Sequence, residues 1–227
     1  MRGQASNGIF VTGTDTGIGK SVASAALLHA MRARGLRAVG MKPVASGCIQ
    51  TPDGWRNEDA VLLQVAGEPG VPYADINPYA LPAPLAPEIA AADAGVQVEL
   101  APIRDAFGRL AARADRVVVE GVGGWAAPLS AALDQADLAR ALDLPVVLVV
   151  GLRLGCQSHA RLTARAIEAD GLRLVGWIGN AVDPDMDRRD AVLGLLQQRL
   201  SAPCWGCMPH RPRPEPAALA RHLTFPE

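Results

Sequence analysis

Gly13-Thr14-Asp15-Thr16-Gly17-Ile18-Gly19-Lys20-Ser21 lies between a short apolar run, Ile9-Phe10-Val11, and the amphipathic segment Val22 to Arg34. Strand, glycine-rich loop, helix is the order in which the first N–H groups of a helix and its dipole face an anion. The stretch reads as a phosphate-binding loop. Gly17, Ile18, Gly19 and Val22 bring backbone donors, Lys20 reaches the β- and γ-phosphates, and the Ser21 hydroxyl suits Mg²⁺. A strict Walker A motif keeps four residues between its first glycine and its Gly-Lys pair. Here Gly13 leaves five.

Composition agrees with a soluble enzyme-sized chain. Its 227 residues are 49% apolar, which suffices for a buried sheet, and α/β folds of this length usually form one unit. The expectation is one domain over residues 1–227. Net charge is −1 with Lys and Arg scattered, so no basic footprint points to nucleic acid. The start, Met1 to Gly8, is polar and lacks the apolar core of a signal peptide. The longest apolar run, Val146 to Val150, is too short to span a bilayer. No membrane partner and a cytoplasmic location follow as expectations. Of the four cysteines, Cys204 and Cys207 have the spacing of a redox dithiol or half a zinc site. Only His210 is near enough to help, so all four read as free thiols.

Further along, apolar β-branched runs alternate with helical patterns. The runs are Ile9-Val11, Arg37-Val44, Val117-Glu120, Pro145-Gly151, Leu174-Asn180 and Pro203-Pro209. Between them the spacing predicts helices over Ser21-Arg34, Asp59-Val65, Pro87-Asp93, Leu100-Arg113, Ala136-Leu142, Gln157-Asp170 and Asp187-Leu200. Such alternation predicts an α/β fold, a mostly parallel central sheet with helices on both faces, like a P-loop NTPase. The Pro- and Arg-rich tail His210 to Pro216 reads as irregular.

Ligands of such sheets collect at the carboxyl ends of the strands. Lys42 ends the second run and is followed by Ser46 and Gly47. Glu120 ends the third and is followed by Gly121-Val122-Gly123-Gly124. An acid there suits Mg²⁺, and glycines let backbone N–H groups approach phosphate. The fourth run leads into Gly155, Cys156 and Ser158. The fifth ends on Asn180, an amide suited to an adenine edge, though CTP and GTP stay open.

These motifs together resemble the dethiobiotin synthetase family, in the P-loop branch that includes the Min/Par ATPases. The resemblance runs from Phe10 to about Pro209. It rests on Val11-Thr12-Gly13-Thr14-Asp15-Thr16 with Gly19-Lys20-Ser21, on Lys42-Pro43-Val44-Ala45-Ser46-Gly47, and on Val119-Glu120-Gly121. Gly123-Gly124-Trp125 and Leu154-Gly155-Cys156 complete it. The family's loop has the same extra residue after its first glycine. The resemblance implies ATP-dependent closure of a cyclic urea. CO2 adds to one amine of diaminopelargonic acid, the γ-phosphate activates the carbamate, and the second amine attacks, giving dethiobiotin, ADP and phosphate. By the same resemblance Lys20, Lys42 and Thr16 are catalytic, and Ser21, Asp59 and Glu120 hold Mg²⁺. Thr16 and Ser46 would bond the diamine or carbamate. Gly121, Val122, Gly123, Asn180, Ala181, Pro209, His210 and Arg211 would line the nucleotide, with Glu215 only loosely aligned.

Relatives are homodimers in which the substrate's carboxylate tail reaches the partner subunit. Gly155, Cys156 and Ser158 match the segment that receives it. Two stretches depart from the family. Pro184 to Leu193 offers Val192 where some relatives have a tyrosine, and Pro82 to Glu88 carries Leu85 and Glu88. A Min/Par-type switch ATPase, acting as a dimerising binding module, shares the fold but has a second lysine five residues before Lys20. Here that position is Asp15. Amidotransferase synthetases of the cobyrinate type need a glutaminase domain, for which the chain is too short.

Overall fold

The computed structural model describes residues 7–226. Most of the polar start Met1 to Gly8, read above as lacking a signal peptide, lies outside the described residues. β1 (Gly8–Gly13) leads through the phosphate loop into α1 (Lys20–Ala33) and β2 (Ala38–Met41). Three short strands follow, β3 (Val44–Ser46), β4 (Ile49–Thr51) and β5 (Gly54–Arg56). Then come α2 (Glu58–Ala66), α3 (Tyr73–Ile76), β6 (Tyr79–Leu81), α4 (Pro87–Asp93) and α5 (Leu100–Ala111). β7 (Arg116–Glu120) is followed by β8 (Pro128–Ser130), β9 (Leu133–Asp134), α6 (Gln135–Leu142) and β10 (Val146–Gly151). The chain closes with α7 (Cys156–Ala169), β11 (Leu174–Asn180), α8 (Arg189–Arg199), β12 (Cys204–Met208) and α9 (Pro216–Leu219).

Six strands form a parallel sheet in the order β12-β11-β10-β1-β7-β2. They are the six apolar runs of the sequence. Because both faces are covered, β1 and β10 are buried along their whole length. On one face Ile9, Val11, Val118, Val147 and Val149 pack with Leu27, Leu28 and Met31 of α1 and Leu219 of α9. On the other, Phe10, Val117, Val119 and Val146 meet Ile103 and Leu110 of α5 and Leu138 of α6. Each such side chain taken from water contributes about 1.5–3 kcal/mol.

The topology places a crevice at the end of β1. α1 carries the chain from β1 past β7 to the edge strand β2, while α6 carries it from β7 back across β1 to β10. Connections leaving in opposite directions open a gap at the carboxyl ends of the strands. The run Arg37 to Val44 does not continue as one strand. Pro43 supplies no N–H, and the Lys42 N–H turns away to the Ile76 carbonyl at 2.7 Å. β3 then pairs with β6 in a separate two-stranded sheet.

Arg37, just before β2, grips Asp115, just before β7. Its Nη2 donates to Oδ1 at 2.7 Å and its backbone N–H to Oδ2 at 2.9 Å. The Arg37 hydrogen bonds draw the Asp115 carboxyl down to about 2. A folded-state value below the unfolded one means stability that is present above about pH 4 and lost as pH falls toward the folded value. Both side chains are solvated, so the pair is screened and weak. Asp115→Asn is expected to lower Tm slightly at neutral pH, with the gap closing in acid. Thermal melts of both proteins across that range check it.

Candidate functional site

The phosphate loop is shaped by its glycines and by one buried anchor. Gly17 and Gly19 adopt positive φ of 73° and 82°, which L side chains rarely tolerate. Ile18 between them is buried, and its side chain packs against Gly13 and Gly151, at the ends of β1 and β10. A methyl group at Gly13 would sit 2.8 Å from Ile18 Cδ1 and 2.9 Å from Lys20 Cγ, so the loop folds tightly over its own strand. No side chain caps the first turn of α1. Its N–H groups and dipole are left for an anion.

A cavity of about 390 Å³ opens at this turn. Thr16, Gly17, Gly19, Lys20, Ser21 and Val22 line it. Lys42, Ser46, Asp59, Glu120, Val122 and Gly123 line it as well. Most of the residues singled out in the sequence therefore meet in one place. Lys42, Asp59 and Glu120 pair their charges. Lys42 Nζ donates to Asp59 Oδ2 at 3.0 Å and to Glu120 Oε1, and the Ser21 hydroxyl donates to the same Glu120 oxygen at 2.8 Å. Glu120 has no exposed surface, and its second oxygen, Oε2, is buried without a hydrogen-bond partner among the described residues.

Burial alone would push the Lys42 ammonium down, but Glu120 and Asp59 outweigh it and hold it above the ordinary lysine value. Asp59 is likewise raised by burial and pulled below its usual range by the Lys42 ammonium, through its charge and its hydrogen bond. Lys20 fares differently. Burial and the neighbouring Lys42 charge lower it to about 8, and its Nζ donates to the Asp15 carbonyl at 2.8 Å. Two lysines thus face one cavity, one locked by carboxylates and one short of counter-charge. An anion would supply that charge.

The supports of these side chains were only in part visible in the sequence. Asn57 caps α2 by accepting the Asp59 and Ala60 N–H groups, and its Nδ2 donates to the Ser46 carbonyl at 3.2 Å. Asn77 Nδ2 holds the Lys42 carbonyl at 2.8 Å. An Asn ahead of Glu58-Asp59 is a helix-start signal, whereas nothing local marks Asn77.

Asn180 stands at the end of β11 with its Nδ2 donating to the Ile18 carbonyl at 2.8 Å. Its amide nitrogen therefore braces the phosphate loop, and its oxygen is left to accept a hydrogen bond. Ala181 joins the neighbouring strand end through its N–H to the Met208 carbonyl at 3.0 Å. His210 Nδ1 lies 3.1 Å from the Ala181 carbonyl, so Pro209, His210 and Arg211 run alongside Asn180 and Ala181. Glu215 is exposed, directly before α9, which packs on α1.

Gly155, Cys156 and Ser158 lie elsewhere, at the start of α7 on a second cavity of about 420 Å³ with Arg161, Met186 and Val192. The Cys156 and Ser158 N–H groups already donate, to the Arg153 and Gly155 carbonyls. Cys156 is buried, and Arg153, Gln157, Ser158 and Arg161 are the polar residues lining this cavity. Arg153 itself pairs with the Asp15 carboxylate of the phosphate loop. Cys48, Cys156, Cys204 and Cys207 are free thiols. Burial raises Cys204 and Cys207, as expected of inert core residues.

A phosphate loop at the switch point of a parallel sheet, faced by two lysines and a buried carboxylate, defines a P-loop nucleotide-binding protein. A family model described as an AAA domain matches residues 7–218. The chain is 68% identical over 217 residues to the ATP-dependent dethiobiotin synthetase of Xanthomonas oryzae pv. oryzae, covering 96% of this chain and 97% of that protein. It is 63% identical to the synthetase of Xylella fastidiosa, covering 94% and 95%. It belongs to the dethiobiotin synthetase family. Among solved structures, the MinC:MinD cell division complex of Aquifex aeolicus matches with a TM-score of 0.57 at 15% identity, over 91% of this chain and 82% of that one. A ParA family ATPase of Chlorobium tepidum matches at 0.56 and 12%, over 92% and 86%. Those likenesses are of fold alone.

Proposed function

We propose that this chain, as one domain, closes the cyclic urea of dethiobiotin from diaminopelargonic acid, CO2 and ATP. The observation that carries this reading is the Lys42 ammonium held between Glu120 and Asp59 in the cavity that Lys20 and Ser21 also line. Phosphoryl transfer to a carbamate asks little covalent chemistry of a protein and much positioning of charge. The start of α1 and Lys20 bind and orient the phosphates. Lys42, close to both carboxylates, neutralises the γ-phosphoryl group as the carbamate oxygen attacks its phosphorus and the bond to ADP breaks, the electron pair leaving on the ADP oxygen. Thr16 and Ser46, which both line the cavity, orient the carbamate and the attacking amine. Asn180, with Ala181 and the stretch Pro209 to Arg211, lines the base, and Glu215 lies farther out.

Mg²⁺ fits the donor set. Ser21 Oγ, Asp59 and Glu120 are hard oxygen ligands, and the orphaned Glu120 Oε2 has its acceptor capacity free. Among the described residues no cluster of three or more His, Cys, Asp or Glu side chains could hold a metal alone. A cation here would share its ligands with phosphate oxygens, as Mg²⁺ does. Bound, it neutralises the β- and γ-phosphates.

The site works in a homodimer in the cytoplasm, where the substrate's carboxylate reaches α7 of the second subunit. No described helix is long and apolar enough to cross a membrane. With the Cys156 and Ser158 N–H groups already engaged, the Ser158 hydroxyl and Arg161, among the polar residues of this cavity, are groups that would receive the carboxylate. Ser158→Trp is expected to raise KM for the diamine about tenfold or more, the size of losing one charge-assisted hydrogen bond, while ATP affinity stays unchanged. Steady-state kinetics with calorimetric ATP titration check this, and sedimentation reports the dimer.

The test of the reading is ADP formation with ATP and Mg²⁺, with and without diaminopelargonic acid and bicarbonate. Turnover should require the diamine. ATP hydrolysis that ignores the diamine would instead favour a switch ATPase, against which Asp15 already argues.

A further inference from the structure

Gln135 opens α6 and has no exposed surface, an uncommon place for a side-chain amide. Its Oε1 accepts the Val122 N–H at 2.5 Å, while its Nε2 donates to Thr12 Oγ1 at 3.0 Å and to the Gly124 carbonyl at 2.9 Å. One amide therefore pins the loop after Glu120 at two points. It also ties that loop to β1, one residue before Gly13. Three of the four hydrogen bonds an amide can make are filled.

Gln135 is itself held firmly. Its backbone N–H donates to the Ala127 carbonyl at 3.0 Å, and a capping box between Asp134 and Asp137 fixes the first turn of α6. The fit is close, since a methyl group at Gly121 would lie 2.2 Å from Oε1. An apolar side chain would fill this space without desolvating an amide. A fully bonded buried amide fixes one geometry instead.

What it fixes is the wall of the site. Glu120 directly precedes the pinned segment, and Val122 and Gly123 line the cavity, where a methyl group at Gly123 would lie 3.9 Å from Thr16 Oγ1. We propose that Gln135 is a positioning residue for phosphoryl transfer. It touches no reacting atom and acts by holding the Glu120-to-Gly124 segment in register with the phosphate loop. The proposal rests on the synthetase reading above.

The test compares wild type, Gln135→Leu and Gln135→Glu in the full chain. Gln135→Leu should lower kcat for diamine-dependent ADP formation on the order of 10- to 10²-fold, the scale of a misplaced site. ATP affinity by calorimetry should stay within about threefold, because the α1 start and Lys20 do not depend on the amide. Gln135→Glu keeps the acceptor for Val122 but loses both donors while ionised. Protonation restores one of them, so its kcat relative to wild type should rise between about pH 8 and about pH 6. Three results would overturn the proposal. They are wild-type kcat in Gln135→Leu, loss of kcat only in step with ATP affinity and Tm, and failure of both variants to fold. Absence of diamine-dependent turnover in wild type itself would instead sink the synthetase reading.

Discussion

Lys42→Gln should abolish most diamine-dependent ADP formation, a loss on the order of 10²-fold or more, and should also cost about 3–5 kcal/mol of stability. The two effects share one cause. Lys42 is 3% exposed and its ammonium is the cation against Glu120, which is wholly buried. Removing it leaves a desolvated carboxylate with the Ser21 hydroxyl and no adjacent positive charge in contact. The same removal takes away a cation that would neutralise the γ-phosphoryl group as it passes from ADP to the carbamate oxygen. ATP should still bind through Lys20 and the start of α1. Lys42→Arg should also be poor, because a planar guanidinium does not fit where a compact ammonium meets Asp59, Glu120 and the Gly121 carbonyl. Lys42 titrates above the usual lysine value, so the pair's contribution is full below about pH 10 and lost only as pH rises past it. The stability deficit of the variant should therefore be flat across neutral pH. Turnover above about a tenth of wild type, a loss under about 1.4 kcal/mol, would mean that Lys42 is not catalytic.

The sheet was legible because its strands are continuous apolar runs. Val146 to Val150 can be read as a doubly covered strand without knowing its neighbours, and the phosphate loop declares itself by glycine spacing. β3, β6, β8 and β9 are two or three residues long, too short for any periodicity to stand out. Charged groups of the site were legible because Lys42 and Glu120 end strands. Their supports were legible only in part. Gln135 meets Thr12 across 123 positions and Arg153 meets Asp15 across 138. A hydrogen bond of that separation leaves no trace in local spacing. The Asp15–Arg153 pair also explains a departure that the sequence only noted. Where switch ATPases carry a second lysine, this loop has a carboxylate held by its own subunit's arginine. The Asn180 reading was half legible, since the amide was visible and its bond to Ile18 was not.

Glu120→Gln and Asp59→Asn should both lower kcat by about 10²–10³-fold, the cost of removing one preorganised charge from a phosphoryl-transfer site. Their stabilities should part. The Asp59 side chain keeps 36% of its surface in solvent, so Asp59→Asn trades a half-solvated carboxylate for an amide of the same shape. Its Tm should shift little. Glu120 is fully buried with Lys42 on one oxygen, and Glu120→Gln leaves a buried ammonium with Asp59 as its one remaining carboxylate in contact. That variant should lose several degrees, since breaking a buried pair from one side is costly. ATP affinity should change far less than kcat in both, because the donors at the start of α1 remain. The Mg²⁺ concentration for half-maximal rate should rise in each, and titrating Mg²⁺ at fixed ATP measures it. If one variant keeps near-normal turnover when Mg²⁺ is limiting, that carboxylate is not a ligand. If both do, the cation is held by Ser21 and phosphate alone, and the work of Glu120 is to hold Lys42 in place.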